Sequence, residues 1–599
     1  MRRRKQKMKK ILFFTVCLLV VFGMNVSAKP AVPDAEPKIK VEDGVTQAVF
    51  SKEDAVRETV YIETTVDSDG DGQNDKVHAE IIRPKETEEG LEVPVIFEMS
   101  PYRAGLSSLD FHDVDVELNP VEKNGKGKPY AADLPGYYDD YFVPRGYAVV
   151  LAESIGSGLS EGCPTVGDER EIRATEAVID WLNGRADAFT EDGQEVSADW
   201  STGNVGMTGV SYNGTLPNGV ATTGVEGLKT IVPIGAISSW YDYYRSNGAV
   251  VAPGGYQGED ADVLGRAVLT RDNPEVCSDV MNQIEDNQDR ETGDYNEFWD
   301  ARNYLNDVKD IEASVFVVHG LNDWNVKTQQ FSQWWEELKH YNVPRKLWLH
   351  QGGHSSPYYF RNEEWLTTLN KWFDHWLYDI DNGIMDEPVV DIQREDDSWE
   401  TTESWPNADA TETKLHFTAG SNEAGGLSIQ PVPNKNKEAD SLLDNALIEA
   451  RELVQNPLSE SPNRQVYLSK ELTDSYRMSG TPKVSIRASI DQPTANLTGL
   501  LVDYGPNGTA EIVTRGWMDP QNINSMSKSK ALVPNHQYTF DWDMQPDDYQ
   551  FKAGHQIGIV IISSDNKYTI RPESGTKISI DPERSHVTLP LVGDIKELR

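Results

Sequence analysis

Three side chains that lie far apart in the sequence, Ser211, Asp323 and His354, are together equipped for nucleophilic acyl transfer. A serine hydroxyl attacks a carbonyl when a base takes its proton, and an imidazole acts as that base when a carboxylate holds its other nitrogen. Ser211 stands in MTGVSYNGTLPNG (Met207–Gly219), between Gly209 and Gly214 and just after a short apolar run. A strand that turns sharply into a helix can expose such a hydroxyl above the helix N-terminus, and it needs small residues where strand and helix approach. Gly206, Gly209 and Gly214 meet that need. The general pattern is G-x-S-x-G, whereas Asn213 takes the second place after this serine. The stretch alone therefore leaves an ordinary turn serine as an equal reading.

The partners decide between them. Asp323 follows the strand-like SVFVVHG in HGLNDWNV, and His354 follows KLWLH in HQGGHSS. Serine, then acid, then histidine, each on a loop after a strand, is the order of an α/β-hydrolase. His350 falls inside the strand and is expected in the core; His319 precedes the acid loop and is expected to support it. Asp307 falls before the strand, while Gly352 and Gly353 give His354 a flexible approach. The attack creates an oxyanion, which requires aimed donors. The backbone N–H of Tyr212 is one. The loop after VPVIFEMS continues PYR, so Tyr102 is either a second donor or plain packing.

Positioning these groups requires a sheet. Brief apolar strands (VPVIFEMS, YAVVLAES, GNVGMTG, ASVFVVHG) alternate with helix-like EIRATEAVIDWLNG and TQQFSQWWEELKHY, the pattern of a mostly parallel sheet covered on both faces. We expect an α/β catalytic domain over residues 46–388, with a helical cap inserted at 256–307 where acidic amphipathic segments replace the strands. From about Val389 many short alternating strands with Gly, Pro, Asn and Asp turns imply a β-sandwich over 389–599.

The 599 residues carry 56 basic and 97 acidic side chains. MRRRKQKMKK, then an apolar run ending near Val26–Ala28, has the parts of a secretory signal peptide cut after Ala28, with a Pro-rich tether over 29–45. Loss of the leader removes seven basic residues and no acid, leaving 49 against 97. So acidic a chain is not suited to nucleic acid or an anionic membrane, and no later apolar run predicts stable membrane insertion. Export into the medium or the cell envelope is expected. Cys163 and Cys277, the two cysteines beyond the leader, could form one bridge.

With those residues in hand, GVSYNGTLPNGVATTGVEGLKTIVPIGAISSWYDYYRSNG (Gly209–Gly248) resembles the nucleophile region of the bacterial Xaa-Pro dipeptidyl-peptidases. These belong to a serine hydrolase family that also contains cocaine esterase and the glutaryl and cephalosporin acylases. The family motif is G-x-S-Y-x-G, which accommodates Asn213. GLNDWNV and GGH match the acid and base motifs at Asp323 and His354, and SPYR matches the oxyanion tyrosine at Tyr102. TRGW and GHQIGIVIISSD resemble the family's C-terminal jelly-roll domain. The resemblance implies an α/β-hydrolase with a jelly-roll, acting on peptides with a penultimate proline and needing no catalytic cofactor. The hydrolase part begins soon after the leader, so the amino-terminal helical domain through which cytoplasmic members dimerise is not expected, and a homo-oligomer is left open.

A pocket that releases dipeptides must end after two residues and pair the substrate ammonium with a carboxylate. Asp242, Glu259, Asp260 and Asp262 are candidates, each with a solvated acidic face as its plain alternative. Trp240, Tyr243 and Tyr244 are either proline-pocket walls or core. DSDGDGQND places Asp67, Asp69 and Asp71 at alternate positions, with Gln73 and Asp75 beyond. It is either a structural calcium loop or an Asp/Gly hairpin turn. An esterase or amide acylase on the same scaffold is the nearest alternative activity. A surface- or carbohydrate-binding protein with a degenerate hydrolase domain is the alternative of another class.

Overall fold

A run of eight consecutively buried residues, Val93–Ser100, marks the middle of the architecture. Such burial is what a parallel strand covered on both faces requires. This computed structural model describes residues 38–114, 137–420, 424–433, 439–570 and 575–593; the signal peptide expected at 1–28 and the tether up to residue 37 lie outside them. After a short antiparallel pair at Val41–Glu42 and Val45–Thr46, the main sheet begins with an antiparallel hairpin, β1 (Val56–Glu63) and β2 (Lys76–Arg83). It continues through β3 (Val93–Ser100), β4 (Ala148–Glu153), β5 (Ser201–Val210), β6 (Leu228–Ile234), β7 (Ser314–Gly320), β8 (Arg345–His350), β9 (Val390–Gln393) and β10 (Trp399–Thr402). Across the sheet the order is β10-β9-β8-β7-β6-β5-β3-β4-β2-β1, extended by two short strands. Every pair from β9 to β4 is parallel.

Alternate residues of these strands feed two cores. Val95, Phe97, Met207, Ile231 and Val317 pack with α1 (Glu169–Leu182), α2 (Tyr212–Ala221) and α6 (Gln329–His340). Ile96, Val149, Val232 and Phe316 face the other way, onto Trp365, Trp372 and Phe373 of α7 (Asn362–Tyr378). Each fully buried aliphatic side chain contributes about 1.5–3 kcal/mol relative to exposure. Helix α1 starts where Asp168 accepts from the Arg170 N–H at 2.9 Å, an N-cap that satisfies an otherwise unpaired donor.

The connection from β6 to β7 carries α3 (Trp240–Tyr244), α4 (Ala261–Val268) and α5 (Ser278–Asn287), of which α4 and α5 fall within residues 256–307 and α3 precedes them. Its root is tied to the loop after β4. Cys163 and Cys277 form a disulfide with Cα atoms 5.5 Å apart, and the Arg302 guanidinium donates to the carbonyls of Thr165 (2.8 Å) and Val166 (3.0 Å).

From Ala410 onward the chain is β-rich. The long strand Lys577–Val592 pairs with Ala410–Thr418, Asp440–Leu443, Tyr476–Gly480 and Lys483–Ile490, around a core that includes Leu415, Ile486, Leu501, Phe540 and Ile559. This domain touches the loop after β7. Trp324 packs edge-on to Trp517 (6.4 Å) and Tyr568 (6.2 Å). The Arg515 guanidinium lies 4.9 Å from the Trp324 ring and pairs with Asp565 at 2.8 Å. Among the described residues no helix is long and apolar enough to cross a membrane.

Candidate active site

The turn from β5 into α2 leaves no room for side chains on its glycines. A Cβ on Gly209 would meet the Asn213 carbonyl at 2.5 Å, and one on Gly214 would meet the Gly209 oxygen at 2.6 Å. Between them Ser211 has φ 65° and ψ −127°, a strained conformation for a residue with a Cβ. The strain is held from both sides. The Ser211 N–H donates to Ile234 O of β6 at 2.9 Å, and its carbonyl accepts from the N–H groups of Gly214 (2.9 Å) and Thr215 (2.8 Å). Tyr212 opens the helix, so its N–H has no acceptor within the helix. Its side chain points away from that end: the hydroxyl donates to Glu171 Oε2 at 2.6 Å and the ring packs edge-on to Trp240.

The acid comes from the loop after β7. Asp323 is 1 % exposed. Its Oδ1 accepts from the N–H groups of Asn325 (3.0 Å) and Val326 (2.9 Å), which leaves Oδ2 for His354 Nδ1 at 2.6 Å. That bond assigns the proton of a neutral imidazole to Nδ1 and leaves Nε2 as the basic nitrogen. The two neighbouring histidines are otherwise engaged. Burial lowers the His319 pKa, so its neutral ring donates from Nε2 to Val326 O at 2.8 Å and braces the acid loop. Burial pushes His350 down to about 4, and its Nδ1 accepts from the Gly352 N–H at 3.1 Å.

Ser211 and His354 line one cavity of about 580 Å³, together with Tyr102, Tyr243, Tyr256 and Glu259. Tyr102 packs edge-on to Tyr212, with ring centroids 6.0 Å apart. Burial raises its pKa, with the charge of Glu259 acting in the same direction, so the phenol stays a hydrogen-bond donor. Glu259 accepts from the Tyr244 hydroxyl at 3.0 Å, and burial pushes its carboxyl up to about 7. The cavity thus sets an activatable serine at one place and a titratable carboxylate at another.

Several residues named from the sequence stand elsewhere. Asp260 is fully buried, caps α4 through the Ala261 N–H, and forms ion pairs with Arg245 and Arg290, both at 3.1 Å. Asp262 accepts from His112 and Gln288. Asp242 lies outside the cavity lining and accepts from Gln333 Nε2 at 3.2 Å. Of the three aromatics only Tyr243 faces the cavity. Trp240 is fully buried and donates to the Tyr304 hydroxyl, and Tyr244 stands behind Glu259 and holds it. Sequence reasoning missed Glu171, Asn325 and Lys327. Asn325 accepts from the Tyr243 hydroxyl at 2.8 Å and Lys327 donates to the Tyr243 carbonyl at 2.9 Å. Their nearness to Asp323 in DWNVK was the available signal.

In the β1–β2 turn the carboxylates of Asp67, Asp69 and Asp71 come within 4.8 Å of one another. Of the residues expected to widen that shell, Asp75 has its carboxylate engaged elsewhere. Asp75 is turned inward to the Ser68 N–H and hydroxyl and is pushed up to about 6 by burial, Gln73 donates to Asp71, and Asp69 pairs with Arg271 at 2.8 Å.

Gly235, just after β6, closes the back of the Asp323–His354 pair. A Cβ there would lie 3.2 Å from His354 Nδ1 and 3.3 Å from Asp323 Oδ2, and φ is +53°. Gly235→Ala is expected to destabilise the fold by about 1–2 kcal/mol through its backbone conformation and to lower kcat with little change in KM. Thermal melting and steady-state kinetics on any hydrolysed acyl substrate check this; unchanged turnover counts against the pair as the working acid and base.

Known proteins resemble this chain over most of its length. The family described as X-Pro dipeptidyl-peptidase (S15 family) matches residues 69–356, and X-Pro dipeptidyl-peptidase C-terminal non-catalytic domain matches residues 382–592. A protein of Bacillus cereus named putative Xaa-Pro dipeptidyl-peptidase is 56% identical over 99% of this chain and 100% of its own length. One of the same name from Rhodopirellula baltica is 41% identical over 92% of this chain and 91% of its own. The Xaa-Pro dipeptidyl-peptidase of Pediococcus pentosaceus is 32% identical over 92% and 79%. Two solved structures share the fold at low identity: an α-amino acid ester hydrolase (18%, TM-score 0.64, 94% of this chain and 100% of that one) and a CocE/NonD family hydrolase of Staphylococcus aureus (16%, TM-score 0.66, 91% and 99%).

Proposed function

Since the chain belongs to the S15 family of X-Pro dipeptidyl-peptidases, we propose that it releases X-Pro dipeptides from free peptide amino termini, with Ser211 as nucleophile, His354 as base and Asp323 as its orienting acid. The observation that carries the assignment of residues is the 2.6 Å bond from His354 Nδ1 to Asp323, with His354 lining the same cavity as a serine held at positive φ. His354 Nε2 takes the Ser211 proton as the oxygen attacks the carbonyl of the penultimate proline. The Tyr212 N–H and the Tyr102 hydroxyl hold the oxyanion. Collapse breaks the peptide bond, and His354 gives its proton to the departing amine. Water then attacks the acyl-enzyme by the same route and frees the dipeptide.

Glu259 receives the substrate ammonium in this reading and Tyr243 forms the wall against the proline ring. Supporting this, Glu259 is the one carboxylate of the cap candidates that lines the cavity. The protein is of bacterial origin, as its relatives are. Export is supported by the leader and by the Cys163–Cys277 disulfide, a bond that persists in oxidising compartments. A calcium ion at Asp67, Asp69 and Asp71 is a separate and structural proposal, supported by the approach of their oxygens.

Three outcomes are expected. Gly-Pro-p-nitroanilide is hydrolysed far faster than its N-acetylated form or a short p-nitrophenyl ester, and Ser211→Ala abolishes the reaction; indifference to the blocked amine rejects the peptidase reading. Glu259, raised to about 7 by burial, is ionised above that pH and gains a proton as pH falls through it. The kcat/KM for free-amine peptides should therefore drop on the acid side near pH 7. In Glu259→Gln that extra limb should vanish, with a loss of about 2 kcal/mol, roughly 30-fold, at higher pH; a wild-type profile in the variant excludes Glu259 as the amine receptor. Finally, calorimetric melting should shift upward by about a few degrees in calcium relative to chelator, and coincident transitions remove the ion.

A further inference from the structure

Both oxyanion donors of the proposed mechanism depend on one tyrosine. Tyr212 supplies its N–H at the start of α2, and its ring packs edge-on to Tyr102, with centroids 6.0 Å apart and planes at 78°. Tyr102 stands on a different loop, just after β3. Its backbone is fastened on both sides, the N–H donating to Ser100 Oγ at 3.0 Å and the carbonyl accepting from the Gly105 N–H at 2.9 Å. Those bonds do not fix the side-chain torsions, and the Tyr102 hydroxyl makes no hydrogen bond among the described residues. The direction of the phenol is therefore set by what its ring packs against.

The Tyr212 ring is held at its far end. Its hydroxyl donates to Glu171 Oε2 at 2.6 Å, and the same oxygen accepts from the Gly167 N–H at 2.6 Å. The other oxygen accepts from the Ser154 hydroxyl at 2.7 Å. Glu171, in the first turn of α1, is fully buried, so all its partners must come from the protein. Burial raises the pKa of the Tyr212 phenol, which stays the donor. Burial also raises that of Glu171, opposed by its three donors, yet a carboxyl protonated on Oε1 still accepts at Oε2. Holding the ring thus takes an acceptor rather than a charge. Gly167 closes a circuit of contacts around it: its carbonyl accepts from the Tyr304 hydroxyl at 2.9 Å, that hydroxyl accepts from Trp240 Nε1 at 3.0 Å, and Trp240 packs edge-on to Tyr212 at 4.9 Å.

We propose that Glu171 is a positioning residue for the oxyanion pocket: by holding the Tyr212 hydroxyl, it sets the ring against which the Tyr102 phenol is aimed. The inference rests on the reading of Tyr102 as an oxyanion donor. Glu171 does not line the cavity and acts only through Tyr212. Because the oxyanion exists only once the serine has attacked, a misaimed phenol slows the chemical step and leaves substrate binding as it was.

The test uses the full chain with Tyr102→Phe, Tyr212→Phe, Glu171→Leu and Glu171→Gln, each alone, and with Tyr102→Phe and Tyr212→Phe combined, on Gly-Pro-p-nitroanilide. Tyr102→Phe removes a donor and should lower kcat about 100-fold. Tyr212→Phe keeps its own N–H and the ring but releases the ring from Glu171; kcat should fall about tenfold with KM within about twofold. Glu171→Leu should do the same. In Glu171→Gln the amide oxygen can take the Tyr212 and Gly167 donors while the amide nitrogen donates to Ser154, so kcat should stay close to wild type. In the double variant, adding Tyr212→Phe to Tyr102→Phe should cost less than about twofold more, whereas independent effects would multiply to about 1,000-fold. An unchanged kcat in Tyr212→Phe, a loss that appears in KM instead, multiplying effects, or a Gln variant as impaired as the Leu variant overturns the proposal. If Glu171→Leu does not fold, Tyr212→Phe and the double variant decide, since they break the same bond from its other side. No loss in Tyr102→Phe removes the oxyanion role of Tyr102 itself; a loss there beside a wild-type rate in Tyr212→Phe removes only this inference.

Discussion

A carboxylate with almost no access to water must find all its partners within the protein, and Asp323 sets the geometry around it for that reason. One oxygen takes two backbone N–H groups from its own tight turn, and the other takes His354. The sheet makes this meeting reproducible. Gly320 and His350 are register partners on adjacent parallel strands, so the acid and base loops leave the sheet side by side. They are then stitched together by the Leu321 N–H to His350 O at 2.7 Å and the Asn322 N–H to Gly352 O at 3.2 Å. The serine turn on β5 enters the same arrangement through β6, whose Ile234 carbonyl anchors Ser211 and whose next residue, Gly235, backs the Asp–His pair.

Around that centre, the cap and the β-rich domain both bear on the acid loop. The cap supplies Glu259 and, through Arg302 and the Cys163–Cys277 bond, is anchored to the loop after β4. The β-rich domain clasps Trp324 between Trp517 and Tyr568. Gly254 of the cap region donates to the Trp324 carbonyl at 2.7 Å, so this one residue meets three parts of the chain. A stretch of five residues, DWNVK, thereby holds the acid, a clasped aromatic, a partner for the pocket wall and a buried lysine.

Which features could be seen in the sequence follows from what decides them. The sheet was legible because uninterrupted apolar strands such as VPVIFEMS have few alternatives, and the turn at Ser211 was legible because its glycines answer a steric demand that is local. Asp323 and His354 could be named because position after a strand is itself a sequence property. Glu259, Asp260 and Asp242 could not be ranked, since they are alike in type and setting; Arg245 and Arg290, which occupy Asp260, and Gln333, which occupies Asp242 from α6, are brought near only by tertiary folding. Asp75 looked like a ligand by spacing, but a partner seven residues back, Ser68, draws it inward. Lys327 carried no pattern at all, because a lysine among polar residues before a helix ordinarily faces water.

The aromatic clasp on Trp324 bears on how the molecule is made. Trp517 and Tyr568 are translated long after Asp323, so a growing chain on the ribosome reaches a complete serine turn and a complete acid motif while the surface that steadies them has yet to be synthesised. The hydrolase half therefore matures in step with the far half, and a nascent or truncated polypeptide lacks the support for its acid loop that the finished one has.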